Sequence, residues 1–274
     1  MIKKRMKKLL SPKHRQQGFT LVELMITLVL ALLISYGIAQ VLISSNRSSV
    51  TSDGLSQAQE TGRFALSYLA EYIRKAGQDS LSDDRITTRP FADDALESAN
   101  GTGDRLVIRY VPEAPVAPDT IQTCSGDNTG FTGIEIIEHR FWVNNDSLMC
   151  QSFAVNIDGS TGAALAAQQA IASGIEAMHV LYGYADDELS DSGGQRNVSR
   201  YINLNDLPPA AVPANKEWHK VYAIRIALMT RSLNDFTTEQ RQQRYVLLDS
   251  DQYNFNDSVS RQVFNTTYII ENFN

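Results

Sequence analysis

Gly18-Phe19-Thr20-Leu21-Val22-Glu23-Leu24-Met25-Ile26-Thr27-Leu28-Val29-Leu30-Ala31-Leu32-Leu33-Ile34 is the stretch whose reading decides the fold. A glycine precedes an apolar run, and one carboxylate sits within the run's first turns. No charged residue occurs from Leu24 to Asn46, and the apolar character continues through Ile43. About 20 such residues form a helix of roughly 30 Å, enough to cross a bilayer. A secretory signal peptide would end its apolar region in a small-residue cleavage site, and this order is different. An acidic side chain at the mouth of a membrane helix is expensive and therefore marks a function. The plainer reading is a signal anchor carrying a stray glutamate near the interface.

Charge on either side sets the orientation. Lys3, Lys4, Arg5, Lys7, Lys8, Lys13 and Arg15 lie in residues 1–18 with no acidic residue among them, and Arg47 follows the run. Positive charge stays on the cytoplasmic side, so residues 1–18 are expected inside and the body outside. The formal net charge of −6 conceals this asymmetry: beyond residue 18 there are 18 basic and 31 acidic residues, a net of −13. Such a body is a poor general binder of nucleic acid, and no direct nucleic-acid partner is expected.

Outward from the run, Leu55, Ala58, Ala65, Leu66, Leu69, Ile73 and Ala76 recur at helical spacing, with Phe64, Tyr68 and Tyr72 as an adjacent stripe read as core facing a globular head. Gly77 reads as the helix stop. Gly37, Gly54 and Gly62 each weaken the helix by up to about 1 kcal/mol relative to alanine. The polar segment 78–104 reads as loop, as do the proline-bearing segments 112–118 and 204–213. Strand-like runs rich in Val, Ile, Thr and Tyr follow at 105–111, 134–143, 148–155, 175–184, 221–231, 245–248 and 262–270. The expected fold class is α+β: a long N-terminal α-helix, membrane stem plus amphipathic half, packed on an antiparallel β-sheet head.

Catalytic signatures are missing from the sequence. His14, His139, His179 and His219 are scattered, and no HExxH, GxSxG, Walker or dinucleotide-binding glycine pattern occurs. His179 reads as a half-buried or exposed strand residue without a role. The acidic segments 186–191 and 249–257 pose a calcium question, but neither has the ligand spacing of a calcium loop; both read as solvated. No enzyme, cofactor or metal is expected.

The string Gly18-Phe19-Thr20-Leu21-Val22-Glu23, after a short basic leader and before an apolar helix, resembles the class III signal of type IV prepilins and pseudopilins. The resemblance implies cleavage between Gly18 and Phe19 by a prepilin peptidase and N-methylation of Phe19. It makes Glu23 the fifth residue of the mature chain, where its carboxylate pairs with the N-terminal amine of a neighbouring subunit. A carboxylate in apolar surroundings is tolerable when a cation meets it. Softer likenesses extend further: Cys124 and Cys150 flanking Phe141-Trp142-Val143-Asn144, and the segments 174–183, 221–232 and 261–268, are similar to those of PilW-type minor pilins. Gln40 departs from the proline that many major pilins carry in the stem.

The layout the resemblance implies is a cleaved leader at 1–18, a transmembrane stem at 19–46, an amphipathic continuation at 47–77 and a periplasmic head at 78–274. Export makes a Cys124–Cys150 disulfide the expected pairing, contributing about 3–4 kcal/mol in the chain-entropy account. The expected location is the bacterial inner membrane, in a single pass, and then a pilus or pseudopilus. The implied partners are the prepilin peptidase, other minor and major pilins met through the stem helix, and the inner-membrane assembly machinery. The implied role is to prime and join pilus assembly near the tip, with twitching, adhesion or DNA uptake depending on it indirectly. A minor pseudopilin of a type II secretion system shares this plan. A membrane-anchored periplasmic enzyme or binding protein is the distant alternative.

Overall fold

The structure is a computed structural model that describes residues 18–78, 91, 102–112, 120–130, 136–156, 159–186, 197–209, 217–233 and 240–271. Residues 1–17 of the expected leader, most of the loop at 78–104, and parts of the connections at 112–118, 186–191 and 204–213 lie outside the described residues. The chain divides into two compact units, Met1–Ser48 and Ser49–Asn274, each considered by itself.

In the first unit the feature is helix α1 (Leu21–Lys75), which continues into the second. It starts because Thr20 caps it. The Thr20 Oγ1 accepts a hydrogen bond from the Glu23 backbone N–H at 3.3 Å, satisfying one of the donors that a helix start leaves orphaned. Its leucine, isoleucine and valine side chains from Leu21 to Ile43 are exposed. The helix is long and apolar enough to cross a membrane.

In the second unit, the later part of α1 packs on antiparallel sheets. Its buried residues are Gly54, Ala58, Gly62, Ala65, Leu69, Ala70, Tyr72 and Ile73. Lys75 ends the helix. Gly77 follows at φ 74°, a conformation that favours glycine, and its N–H donates to the Arg109 carbonyl at 2.9 Å. The stop read at Gly77 is thus also the first tie between helix and sheet.

The first sheet contains β1 (Leu106–Tyr110), β4 (Ile136–Asn144), β5 (Ser147–Val155) and β6 (Thr161–Ala164), with β7 (Gln169–Ser173) also paired to β5. β4 and β5 form a hairpin through Asn145 and Asp146, both at positive φ (49° and 53°), as a two-residue turn between right-twisted strands requires. The second sheet runs in the order β13 (Arg261–Ile269), β10 (Val221–Arg231), β8 (Ile175–Tyr184), β9 (Arg200–Ile202). Two ribbons complete the set: β2 (Thr120–Gln122) with β3 (Asn128–Gly130), and β11 (Arg241–Tyr245) with β12 (Tyr253–Asp257). All these pairings are antiparallel.

One core joins α1 to both sheets: Leu69, Tyr72 and Ile73 meet Leu106, Ile108, Phe141 and Leu148 from the first and Met178, Val180, Ile224 and Leu228 from the second. β8 is buried on both faces. On its other side Ala177 lies beside Ala227 and Met229 of β10, and this face is covered by Leu247 and by Tyr245, Tyr253 and Phe255 of the β11–β12 ribbon.

Four expectations are corrected. The apolar run Val246-Leu247-Leu248 is a turn, and the strand precedes it at Arg241–Tyr245. Leu248 has φ 52°, the Leu247 N–H donates to Ser250 Oγ, and Leu247 plugs the cluster under the ribbon. The segment read as a solvated acidic loop ends in strand β12, whose aromatic residues Tyr253 and Phe255 alternate with exposed Asn254 and Asn256. His179 is fully buried, because the ribbon covers that face of β8. In the aromatic stripe, Tyr72 is core and Tyr68 half-buried, while Phe64 is 52% exposed.

Candidate functional site

Gly18 and Phe19 lie ahead of the helix, outside any regular element, and Phe19 is 81% exposed. A Cβ built on Gly18 meets nothing within 4 Å. Glu23 occupies the third helical position, the acidic residue of the first turn, where the helix dipole favours an anion. Thr20-x-x-Glu23 is also the sequence of a capping box, a signal the sequence reading passed over. The site is therefore an exposed aromatic end, a capping threonine and a carboxylate one turn in, on an exposed apolar helix surface.

The second unit grips the packed half of α1 at defined points. Gly62 lets the Phe264 ring of β13 close on the helix: an added Cβ would lie 2.3 Å from that ring. The glycine read only as a helix weakener is a contact requirement. The Thr230 hydroxyl donates to the Ala58 carbonyl at 3.1 Å. The Tyr268 hydroxyl donates to the Leu66 carbonyl at 2.9 Å. The Tyr68 hydroxyl donates to the Cys124 carbonyl, and burial beside the Tyr72 hydroxyl pushes its pKa up.

Cys124 and Cys150 are joined by a disulfide with Cα atoms 6.2 Å apart, pinning the β2–β3 turn to β5. Beneath it, Ser152 Oγ accepts the Cys124 N–H at 2.9 Å and bonds His139 Nδ1 at 2.7 Å, and His139 Nε2 meets the Tyr110 hydroxyl at 3.0 Å. Tyr72 stands edge-on to the His139 ring at 4.8 Å. Full burial, with the Lys75 charge nearby, pushes the His139 pKa down to about 3.

Two more polar clusters are buried. Glu138 is shared by Arg109 and Arg140, whose Nε atoms lie 2.7 and 2.6 Å from its oxygens. His179 Nε2 bonds the Tyr253 hydroxyl at 2.7 Å, while the Asp104 carboxylate accepts the Val180 N–H at 2.8 Å and lies 3.5 Å from His179 Nδ1. These contacts tie β1 to β4 and β8 to the ribbon. No group of three or more metal-ligating side chains gathers among the described residues.

An N-terminal methylation motif of prokaryotes matches residues 13–36, across the Gly18–Glu23 string. The family described as type IV pilus-assembly protein W matches residues 138–272, from β4 to the end of the last strand. Among solved structures, a type IV-like pilin from Thermus thermophilus aligns over 81% of this chain and 97% of its own, at 17% identity and a TM-score of 0.44. No curated protein matches the chain. A prepilin-type stem ahead of a helix-on-sheet head defines the class: the chain is a member of the type IV pilin superfamily. Within it, the chain is a minor pilin most like the PilW type, the likeness carried by β4 through β13.

Proposed function

We propose that this chain is a minor pilin that primes type IV pilus assembly and joins the filament at or near its tip, supporting twitching motility, adhesion or DNA uptake indirectly. The observation that carries the reading is the exposed Gly18-Phe19 end, with Glu23 one turn into an apolar helix, inside the matched methylation motif. In this reading a prepilin peptidase hydrolyses the Gly18–Phe19 bond at the cytoplasmic face, and the freed Phe19 amine is methylated. That Gly18 has open space around it supports its glycine being required by a processing enzyme, since the fold makes no demand there.

The leader is then residues 1–18, the stem 19–46, its amphipathic continuation 47–77 and the periplasmic head 78–274. The stem waits in the inner membrane and leaves it by exchanging lipid for the stems of other pilins. Glu23 sets the register by pairing with a neighbour's Phe19-equivalent ammonium, an ion pair that apolar surroundings strengthen. The chain's own work is non-covalent, and the chemistry is done to it.

Mass spectrometry of the mature terminus, in membranes with and without the peptidase, tests this. A peptide beginning at N-methyl-Phe19 only when the peptidase is present supports the reading. An intact leader, or a cut after the apolar run, sinks it. Deleting the chain then separates the two filament roles, since loss of surface pili supports the pilus and loss of exported protein with pili intact supports a secretion pseudopilus.

A further inference from the structure

Strand β13 forms one edge of the second sheet and is nine residues long. Its pairing with β10 decides which of its backbone groups face outward. The Ile270 N–H donates to the Tyr222 carbonyl, and the Ser232 N–H donates to the Ser260 carbonyl. Both bonds join residues that the β10–β13 register sets opposite each other, and that register has no shift along its length. Hydrogen-bonded and non-hydrogen-bonded positions alternate in an antiparallel pair. Gln262, Phe264, Thr266 and Tyr268 therefore bond β10, while Val263, Asn265, Thr267 and Ile269 turn their N–H and C=O groups outward. Among the described residues no further strand pairs with that outward row.

Natural proteins blunt such edges with charge, proline, bulges or brevity. The head does so elsewhere: β9 is three residues long, and Phe91 bridges Ile108 on β1. β13 has no bulge, and no proline or charged residue lies from Gln262 to Ile270. Its one charged residue, Arg261, is held by Glu176 and Asp257. Phe264 and Tyr268 face α1. On the other face Val263 is half-buried beside the ribbon, Asn265 and Thr267 are exposed, and Ile269 is 71% exposed.

We propose that the β13 edge takes up an extended strand of a different pilin, running antiparallel to β13. The outward groups recur at every second residue, about 6.8 Å apart, a spacing that an extended peptide matches. The incoming strand is uncharged where it lies along 263–269, with an apolar side chain beside Ile269 and hydroxyl or amide side chains beside Asn265 and Thr267. Antiparallel pairing is the stronger kind per residue. Direction selects the donor. β13 runs in the same sense as α1, because Ala58, Gly62 and Leu66 meet Thr230 (opposite Gln262), Phe264 and Tyr268 in turn. Pairing β13 with β13 of a second copy would set two packed helices in opposite directions. Chains anchored by their N-terminal ends in one membrane point the same way, so the added strand runs against its own helix; this step rests on the pilin reading above. The strand of the required sense at the sheet's other edge, β9, is only three residues long, and the donor is therefore another pilin.

The test places a photo-crosslinking amino acid at position 269 of the full chain, in cells that make it together with its companion pilins. The expected result is a light-dependent cross-link to another pilin-class chain, mapped by mass spectrometry to a β-strand of that chain. Asn265→Pro removes one outward N–H and leaves the bonds to β10 intact, and Asn265→Lys places a charge on the edge. Each is expected to reduce the cross-link by roughly fivefold or more, with protease resistance of the head unchanged. No cross-link, a cross-link only to a second copy of this chain or to a protein outside the pilin class, or a cross-link undiminished in the natively folded Asn265→Lys variant overturns the proposal. Processing at Gly18 is read in the same membranes. An uncut leader sinks the pilin reading, whereas a mature terminus without the cross-link sinks the strand addition alone.

Discussion

Helix α1 is built from two vocabularies. From Leu21 to Ile43 its large apolar side chains are exposed. From Gly54 to Ala65 its buried positions are glycine and alanine: Gly54, Ala58, Gly62 and Ala65. The first region is hydrophobic without a partner among its own residues, and suits a surrounding that is fluid and unspecific, such as lipid. The second is only modestly hydrophobic but fits its partner closely, as small side chains let a sheet approach the backbone. Apolar bulk tells a helix which solvent to enter, while apolar smallness tells it which surface to touch.

If that division is right, changes in the two regions have separable effects. The largest is at the proposed cleavage site. Gly18→Val is expected to leave nearly all the chain as uncut precursor on an immunoblot, with head stability unchanged; normal processing would break the comparison. In the second region, replacing both Cys124 and Cys150 with serine is expected to lower unfolding stability by about 3–4 kcal/mol, measured by denaturant titration in detergent. Cleavage after Gly18 should persist.

His139 gives the head an acid sensitivity. Its folded pKa is depressed to about 3 from an ordinary 6.5. The unfolded chain therefore takes up a proton below pH 6.5 that the folded chain refuses. The stability is fully present above pH 6.5 and is lost as pH falls towards 3, by a few kcal/mol in all. His139→Gln should flatten that part of the stability-versus-pH curve.

Gly62→Ala sets two effects against each other. Helix propensity alone would stabilise by up to about 1 kcal/mol, whereas the clash with Phe264 costs about 1–3 kcal/mol. Net destabilisation, relieved when Phe264→Ala is added, is expected in thermal denaturation. The smallest effect is Thr230→Val, which removes the bond to the Ala58 carbonyl and is expected to cost about 1 kcal/mol.

Much of the helix and the long strands was legible because each carries its own period. The strands at 175–184 and 221–231 coincide with the runs read from β-branched and aromatic residues. β6 and β7 escaped because they are short and largely polar or small, and β9 and the β2–β3 ribbon because each strand is only three residues long. β12 had a period-two signal, Tyr253-Asn254-Phe255-Asn256, hidden by the acids around it. The buried polar clusters were not legible at all. Glu138 is buried because Arg109, 29 residues away, reaches it, and His179 because Tyr253, 74 residues away, covers it. Such pairings exist only once the sheets have formed. At the stem end the residue pattern was plain, but the cap made by Thr20 needed the helix start to be located.

The grip on α1 has a mechanical consequence. Thr230 and Tyr268 bond helix carbonyls, and Phe264 seats against a glycine backbone. Sliding the helix by one residue, about 1.5 Å along its axis, would break both bonds and drive the Phe264 ring against a residue with a side chain. Tension along the helix is thus carried in shear by two antiparallel strands, β10 and β13, pulling together. Those strands hold each other through a nine-residue register, so a load entering at the helix is shared along their whole length before any one contact fails.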